Sequence, residues 1–252
     1  MEKGSLYINR INGIATVEFY HPASNSLPGD LLQRLVSAFE ELSEDPDVKV
    51  IVLKSEGEKT FCAGASFDEL LSIENATQGI AFFSGFGTVV NAMRKCKKPV
   101  IGRIQGKAVG GGVGIIAACD YAMATEQASV KLSEISIGIG PFVVEPAIRR
   151  KIGVAAVGEL AFNPTLWQNA YWAKEKGLYA RVFETIDALD TEVQILTEQL
   201  AAYSEEAVQN LKRILWEGTE NWDALMNERA TICGTLVLSE NTKNALKKFK
   251  NK

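Results

Sequence analysis

The chain has 252 residues, with 46% apolar and 23% charged side chains, a net charge of −4 and a pI near 5.3. These are values of an ordinary soluble globular protein with enough length for one large core, and they argue against bulk attraction to nucleic acid or an anionic membrane. His21 is the only histidine, which removes histidine-based triads, and Cys62, Cys96, Cys119 and Cys233 lack zinc-ligand spacing and read as reduced thiols.

The start of the chain runs directly into alternating strand-like residues, without the basic-then-apolar plan of a signal peptide, so the expected location is cytoplasmic. No window has the apolar length of a membrane span. Ile14 to Tyr20 sets Ala15, Val17 and Phe19 on one face at period two and reads as a half-buried strand. His21 to Asp30 is turn-rich, and His21 itself is expected to be solvated or bonded to a carbonyl. Leu31, Leu35, Ala38 and Leu42 then recur at helical spacing until Asp45-Pro46. Val48 to Leu53 is a nearly continuous β-branched run, as in a strand covered on both faces. A loop through Gly57 reaches Cys62-Ala63-Gly64-Ala65, and Phe67 to Cys96 reads as mostly helical.

Lys98-Pro99 opens the most informative stretch. The apolar run Val100 to Ile104 leads to Gly110, Gly111 and Gly112, and Ile115, Ile116 and Ala118 follow at helical spacing. The glycines therefore stand at a helix N-terminus, where free N–H groups and the positive end of the dipole gather. Glycine lets a substrate come close to the backbone, and a carbonyl oxygen that becomes an enolate needs such preorganised donors and no metal. A phosphate loop would require Lys-Ser or Lys-Thr after the glycines, and Val113-Gly114 is neither. Tyr121 to Ala124, Val130 to Leu132 and Arg181 to Phe183 are further short strands, so periodicity alone gives an α/β domain with parallel strands. From Asp187 onward, groups such as Val193, Leu196, Leu200 and Tyr203 mark successive amphipathic helices that need a partner surface.

Phe61-Cys62-Ala63-Gly64-Ala65, Lys98-Pro99-Val100 leading to Gly110-Gly111-Gly112, Ala118-Cys119-Asp120, and Leu132-Ser133-Glu134 followed by Gly138 together resemble the crotonase superfamily, the enoyl-CoA hydratases and isomerases. The resemblance extends loosely over almost the whole chain. It implies a crotonase-like spiral of ββα repeats over residues 1–186 and a C-terminal helical oligomerisation region over 187–252, in a homotrimer or homohexamer. It also implies an acyl-CoA substrate and no cofactor beyond that CoA. The oxyanion donors it implies are the amides of Ala65 and Gly111, within a substrate-binding set of Ala63, Gly64, Ala65, Gly110, Gly111 and Gly112.

Hydratases of this superfamily use two glutamates. Here Gly114 stands in place of the first, and Glu134 remains as the second. One carboxylate suffices to move a proton between two carbons on one face of a dienolate, so double-bond isomerisation is the expected activity, whereas hydration must also deprotonate a water. The alternatives are a 2-enoyl-CoA hydratase in which Glu145 or a water network substitutes, and an inactive CoA-binding or structural oligomer. Two plainer roles stand beside these. Glu145 suits a helix start facing solvent or a subunit contact, and Glu134 suits a strand-end ion pair with Arg149 or Arg150. The basic run Arg94 to Lys98 fits either a solvated helix end or phosphate binding, the acidic helix Leu31 to Glu44 disfavours RNA, and Trp167, Tyr171 and Trp172 fit core, subunit contact or acyl-pocket wall.

Overall fold

A computed structural model describes residues 4–250. β1 (Ser5–Ile11) and β2 (Ile14–Tyr20) form an antiparallel hairpin around Asn12 and Gly13, both at positive φ. That conformation is what an Asn-Gly pair favours in a two-residue turn. The period-two pattern places the first strand at Ile14 to Tyr20, and the structure adds β1 before it, paired through the Asn12-Gly13 turn. α1 (Gly29–Glu44) buries Leu31, Leu35, Ala38, Phe39 and Leu42. In the turn before α1, the Nδ1 of His21 accepts from the Ala23 amide and faces Ser26 Oγ rather than a carbonyl.

Each following turn of chain gives one strand to each of two sheets and then a helix. β3 (Val50–Ser55) and β4 (Thr60–Cys62) lead into the short α2 (Phe67–Leu71) and the long α3 (Ala76–Lys95). β5 (Val100–Ile104) and β6 (Lys107–Val109) lead into α4 (Gly111–Ala118). β7 (Tyr121–Thr125) and β8 (Val130–Lys131) lead through a 3-10 turn, Glu134–Ile137, into α5 (Glu145–Phe162). After α6 (Ala170–Glu175), β9 (Arg181–Phe183) completes the larger sheet, in the order β1-β2-β3-β5-β7-β9 with every pair after the hairpin parallel. β4, β6 and β8 form the smaller parallel sheet. This is the α/β spiral of ββα repeats.

α7 (Ile186–Ala202) lies across one face of the large sheet, where Leu189 and Val193 meet Val50, Val52, Ile101 and Met123. α8 (Glu205–Leu215) buries one side chain, Lys212, whose ammonium reaches the carbonyls of Met93 and Lys98 and the carboxylate of Asp120. α9 (Trp222–Leu236) packs closely along α3, because an added Cβ on Gly79 would lie only 2.9 Å from the Cα of Gly234. That approach brings Cys233 to the cavity described below. α10 (Glu240–Lys250) ends the described chain and rests on the Glu134–Ile137 turn.

Candidate active site

A cavity of about 760 Å³, counting its open mouth, lies between the loop after β4 and the start of α4. Gly64, at φ +88°, permits the first loop to turn tightly, and its carbonyl accepts from the Leu27 amide at 2.8 Å. An added Cβ on Gly64 would fall 3.0 Å from the Val109 carbonyl and 3.8 Å from the Gly111 nitrogen, so the two loops face each other closely. Gly110, at φ 55° and ψ −119°, makes the second turn in a conformation that only glycine adopts readily. Gly111 is then the first residue of α4 and has no intrahelical acceptor for its N–H. Among the described residues, neither the Ala65 nor the Gly111 amide donates to a protein acceptor.

Ala63, Gly64, Ala65, Gly110 and Gly111 all line this cavity. Gly112 does not. An added Cβ there would sit 2.7 Å from Cys62 Cβ, so Gly112 serves the packing of the two loops against each other. Gly111 likewise leaves room for the ring of Phe86, which an added Cβ would approach to 2.2 Å.

Glu134 enters the cavity from the 3-10 turn after β8. Its Oε1 lies against Gly110, where an added Cβ would stand 2.6 Å away, and its Oε2 is shielded from solvent with no hydrogen-bond partner among the described residues. Burial pushes the carboxyl up to about 7, opposed in part by its own amide and that of Ser133. The ion-pair alternative for Glu134 finds its arginines elsewhere. Arg149 lies 3.7 Å from Glu145, and Arg150 stacks 4.2 Å over Trp216.

Glu145 is not in the cavity lining. It opens α5, and its carboxylate is paired with Arg229 of α9 and faces Arg149. Arg229 also donates to the Phe142 carbonyl at 3.1 Å, which ties the segment before α5 to α9. Gly114 lies against Val144, and an added Cβ there would fall 2.4 Å from the valine's Cβ. The remaining walls are apolar, with Leu70 of α2, Phe82, Phe83 and Phe86 of α3, and Ile139 and Val143 before α5. Burial pushes the thiols of Cys62 and Cys233 up to about 12, so neither is a thiolate nucleophile at neutral pH.

The other residues singled out in the sequence have partners away from the cavity. Arg94 and Lys95 pair with Asp223, Lys97 with Glu44 and Lys98 with Glu205. The ammonium groups of Lys107 and Lys131 lie 5.2 and 4.5 Å from the centre of the Trp167 ring, Tyr171 bonds to Glu126, and Trp172 donates to Glu159. The apolar wall from α3 is the part of the site that the motifs do not announce, and its signal is the recurrence of Phe82, Phe83 and Phe86 on one helical face.

Residues 9–252 match the family described as enoyl-CoA hydratase/isomerase. The peroxisomal Delta(3,5)-Delta(2,4)-dienoyl-CoA isomerase of Arabidopsis thaliana is 30% identical over 211 residues, covering 78% of this chain and 74% of that protein. A short-chain-enoyl-CoA hydratase of Clostridium acetobutylicum is 27% identical over 254 residues, covering 99% and 95%. An enoyl-CoA hydratase/isomerase from Xanthobacter autotrophicus Py2 has the same fold, with a TM-score of 0.88 at 20% identity over 98% of this chain and 93% of that one. Since the family match takes in both glycine loops, the Glu134 turn and the C-terminal helices, and the fold agrees over nearly the full length, this protein belongs to the enoyl-CoA hydratase/isomerase family of the crotonase superfamily.

Proposed function

We propose that the protein shifts the double bond of an enoyl-CoA, with Glu134 as its one proton carrier. The thioester oxygen accepts from the amides of Ala65 and Gly111, which find no acceptor among the described residues. With a 3-enoyl thioester, the Glu134 carboxylate removes a proton from C2. The electrons of that C–H bond form the dienolate, whose negative oxygen the two amides stabilise. The carbonyl then re-forms, the double bond settles between C2 and C3, and C4 takes the proton back from Glu134. A carboxyl held near pH 7 is suited to both halves of this transfer.

The observation that carries the reading is that, among the described residues, Glu134 is the only carboxylate lining the cavity. Addition of water calls for a second group to hold and deprotonate the nucleophile. Val144 covers the place where Gly114 would have to supply one, and Glu145 is engaged by Arg229. The walls favour an uncharged, apolar acyl group, and the chemistry calls for no cofactor beyond the substrate's CoA. Exposed Phe162 (84%) and, on α8, Leu211, Ile214 and Leu215 support assembly into a homotrimer or homohexamer.

The deciding experiment incubates the purified protein with a 3-enoyl-CoA and, separately, a 2-enoyl-CoA. Isomerisation faster than hydration is expected. The hydratase reading draws support from the near full-length likeness to the Clostridium acetobutylicum hydratase, and faster hydration would establish it instead. Acyl-CoA binding without turnover of either substrate would indicate a binding protein.

A further inference from the structure

No residue of the turn that carries Glu134 is buried as a whole, although the Glu134 Oε2 is shielded from solvent. Ile135 is exposed, and Ser136 and Ile137 are only partly covered. A short 3-10 segment of this kind holds its shape through what grips its ends. One end is Gly138, at φ +83°, whose N–H bonds back to the carbonyls of Glu134 and Ile135. The grip on Gly138 comes from α10. Thr242 is 0% exposed, and its Oγ1 donates to the Gly138 carbonyl at 3.1 Å. Ser239 Oγ donates to Thr242 Oγ1 at 3.1 Å and accepts the Thr242 amide at 3.3 Å, which leaves the threonine's hydroxyl proton for Gly138. The same hydroxyl fills the space that a Cβ on Gly138 would need, 2.5 Å away.

We propose that Thr242 is a positioning residue for Glu134, fixing from α10 the Gly138 carbonyl and, through it, the turn that sets where the carboxyl stands beside Gly110. This rests on Glu134 being the proton carrier. Displacing a proton carrier by a fraction of the donor–acceptor distance slows transfer without weakening the grip on CoA. The carboxyl's environment should change as well, because a loosened turn admits water to Oε2. Among the described residues, the other titratable group lining the cavity is Cys233 of α9, held as a thiol. On α5, Glu145 is turned to Arg229, and Arg149 lies beside Glu145. On α10, Glu240, Lys243, Lys247 and Lys248 are exposed.

The test compares Thr242→Val with Thr242→Ser and Ser239→Ala, each alone and in a Glu134→Gln background. Thr242→Val should lower kcat at least about tenfold with KM little changed. It should also move the acid limb of the pH profile below that of the wild type. Thr242→Ser should restore both, since it keeps the donor. Ser239→Ala should lower Tm while leaving the pH limb in place, because it weakens the start of α10 but leaves the threonine hydroxyl. In the Glu134→Gln background, Thr242→Val should cost nothing further. If Thr242→Val does not fold, Thr242→Cys keeps the volume with a weak donor and carries the same expectation. Wild-type kcat and pH limb in Thr242→Val, or an equal loss in the Glu134→Gln background, overturns the positioning role. Full activity of Glu134→Gln itself overturns the proposed function, a separate result from an inactive Glu134→Gln beside a fully active Thr242→Val.

Discussion

Val144 lies directly over Gly114, so closely that a Cβ on the glycine would stand 2.4 Å from the valine's own Cβ. Both residues are buried, and the valine is followed by Glu145 at the start of α5. Replacing Gly114 by glutamate alone therefore does more than add a missing acid. It forces a long side chain into occupied space, which typically costs about 1–3 kcal/mol. Gly114→Glu is expected to lower Tm without a gain in hydration. Gly114→Glu combined with Val144→Gly should raise the ratio of hydration to isomerisation, measured on matched 2-enoyl and 3-enoyl thioesters. A gain from the single substitution would mean that Val144 yields readily.

Glu134 gives two expectations of different kind. Glu134→Gln should reduce isomerisation at least ~100-fold with acyl-CoA binding retained, the usual scale for a general acid–base group. In the wild type, kcat/KM should fall on the acid side around pH 7, as the carboxylate is protonated. Stability runs the opposite way. The folded-state value is raised from 4.5 to about 7, so the folded state keeps a proton that the unfolded chain releases. The favourable contribution is complete below about pH 4.5 and is lost as pH rises through about 7. Glu134→Gln should therefore gain stability relative to wild type on going from pH 5 to pH 8, by up to about 3 kcal/mol. Urea denaturation at the two pH values checks it, and a constant difference would show that the carboxyl is well solvated.

Glu145 is expected to matter for the fold rather than for the chemistry. Its pairing with Arg229 joins the start of α5 to α9 beside the cavity wall. Both side chains are partly covered, so losing the pair should cost on the order of 1 kcal/mol. Glu145→Gln should lower Tm by a few degrees and leave isomerisation near the wild-type rate. Abolition of a strong hydratase activity by the same substitution would restore Glu145 as a second catalytic group.

The glycine loops were legible in the sequence because their demands are local. Gly64 and Gly110 need positive φ, a demand of the backbone at those positions alone. The parallel strands were legible because a strand covered on both faces carries an almost unbroken apolar run, as Val50 to Leu53 of β3 does. β1 was missed although Asn12-Gly13 announces its turn. Less could be read where the deciding partner is distant. Arg229 lies 84 positions from Glu145, and Thr242 lies 104 from Gly138. Nor does the sequence disclose that Glu134 leaves the strand for a 3-10 turn, where its Oε2 is buried without a partner.

The acyl group can be tested through charge. Among the described residues no lysine, arginine or histidine lines the cavity, and the two titratable groups that do are Glu134 and the protonated thiol of Cys233. An acyl chain ending in a carboxylate would place a second negative charge near Glu134 with only the Ser133 hydroxyl and backbone amides to receive it. Burying an unpaired charge among such walls costs several kcal/mol. In Glu134→Gln, which removes the like charge and prevents turnover, a branched apolar acyl-CoA should bind at least ~100-fold more tightly than a thioester of similar size with a terminal carboxylate. Calorimetric titration of both ligands measures the ratio directly. Equal affinities would mean that the end of the acyl chain remains in water at the mouth and that the phenylalanine wall of α3 does not enclose it.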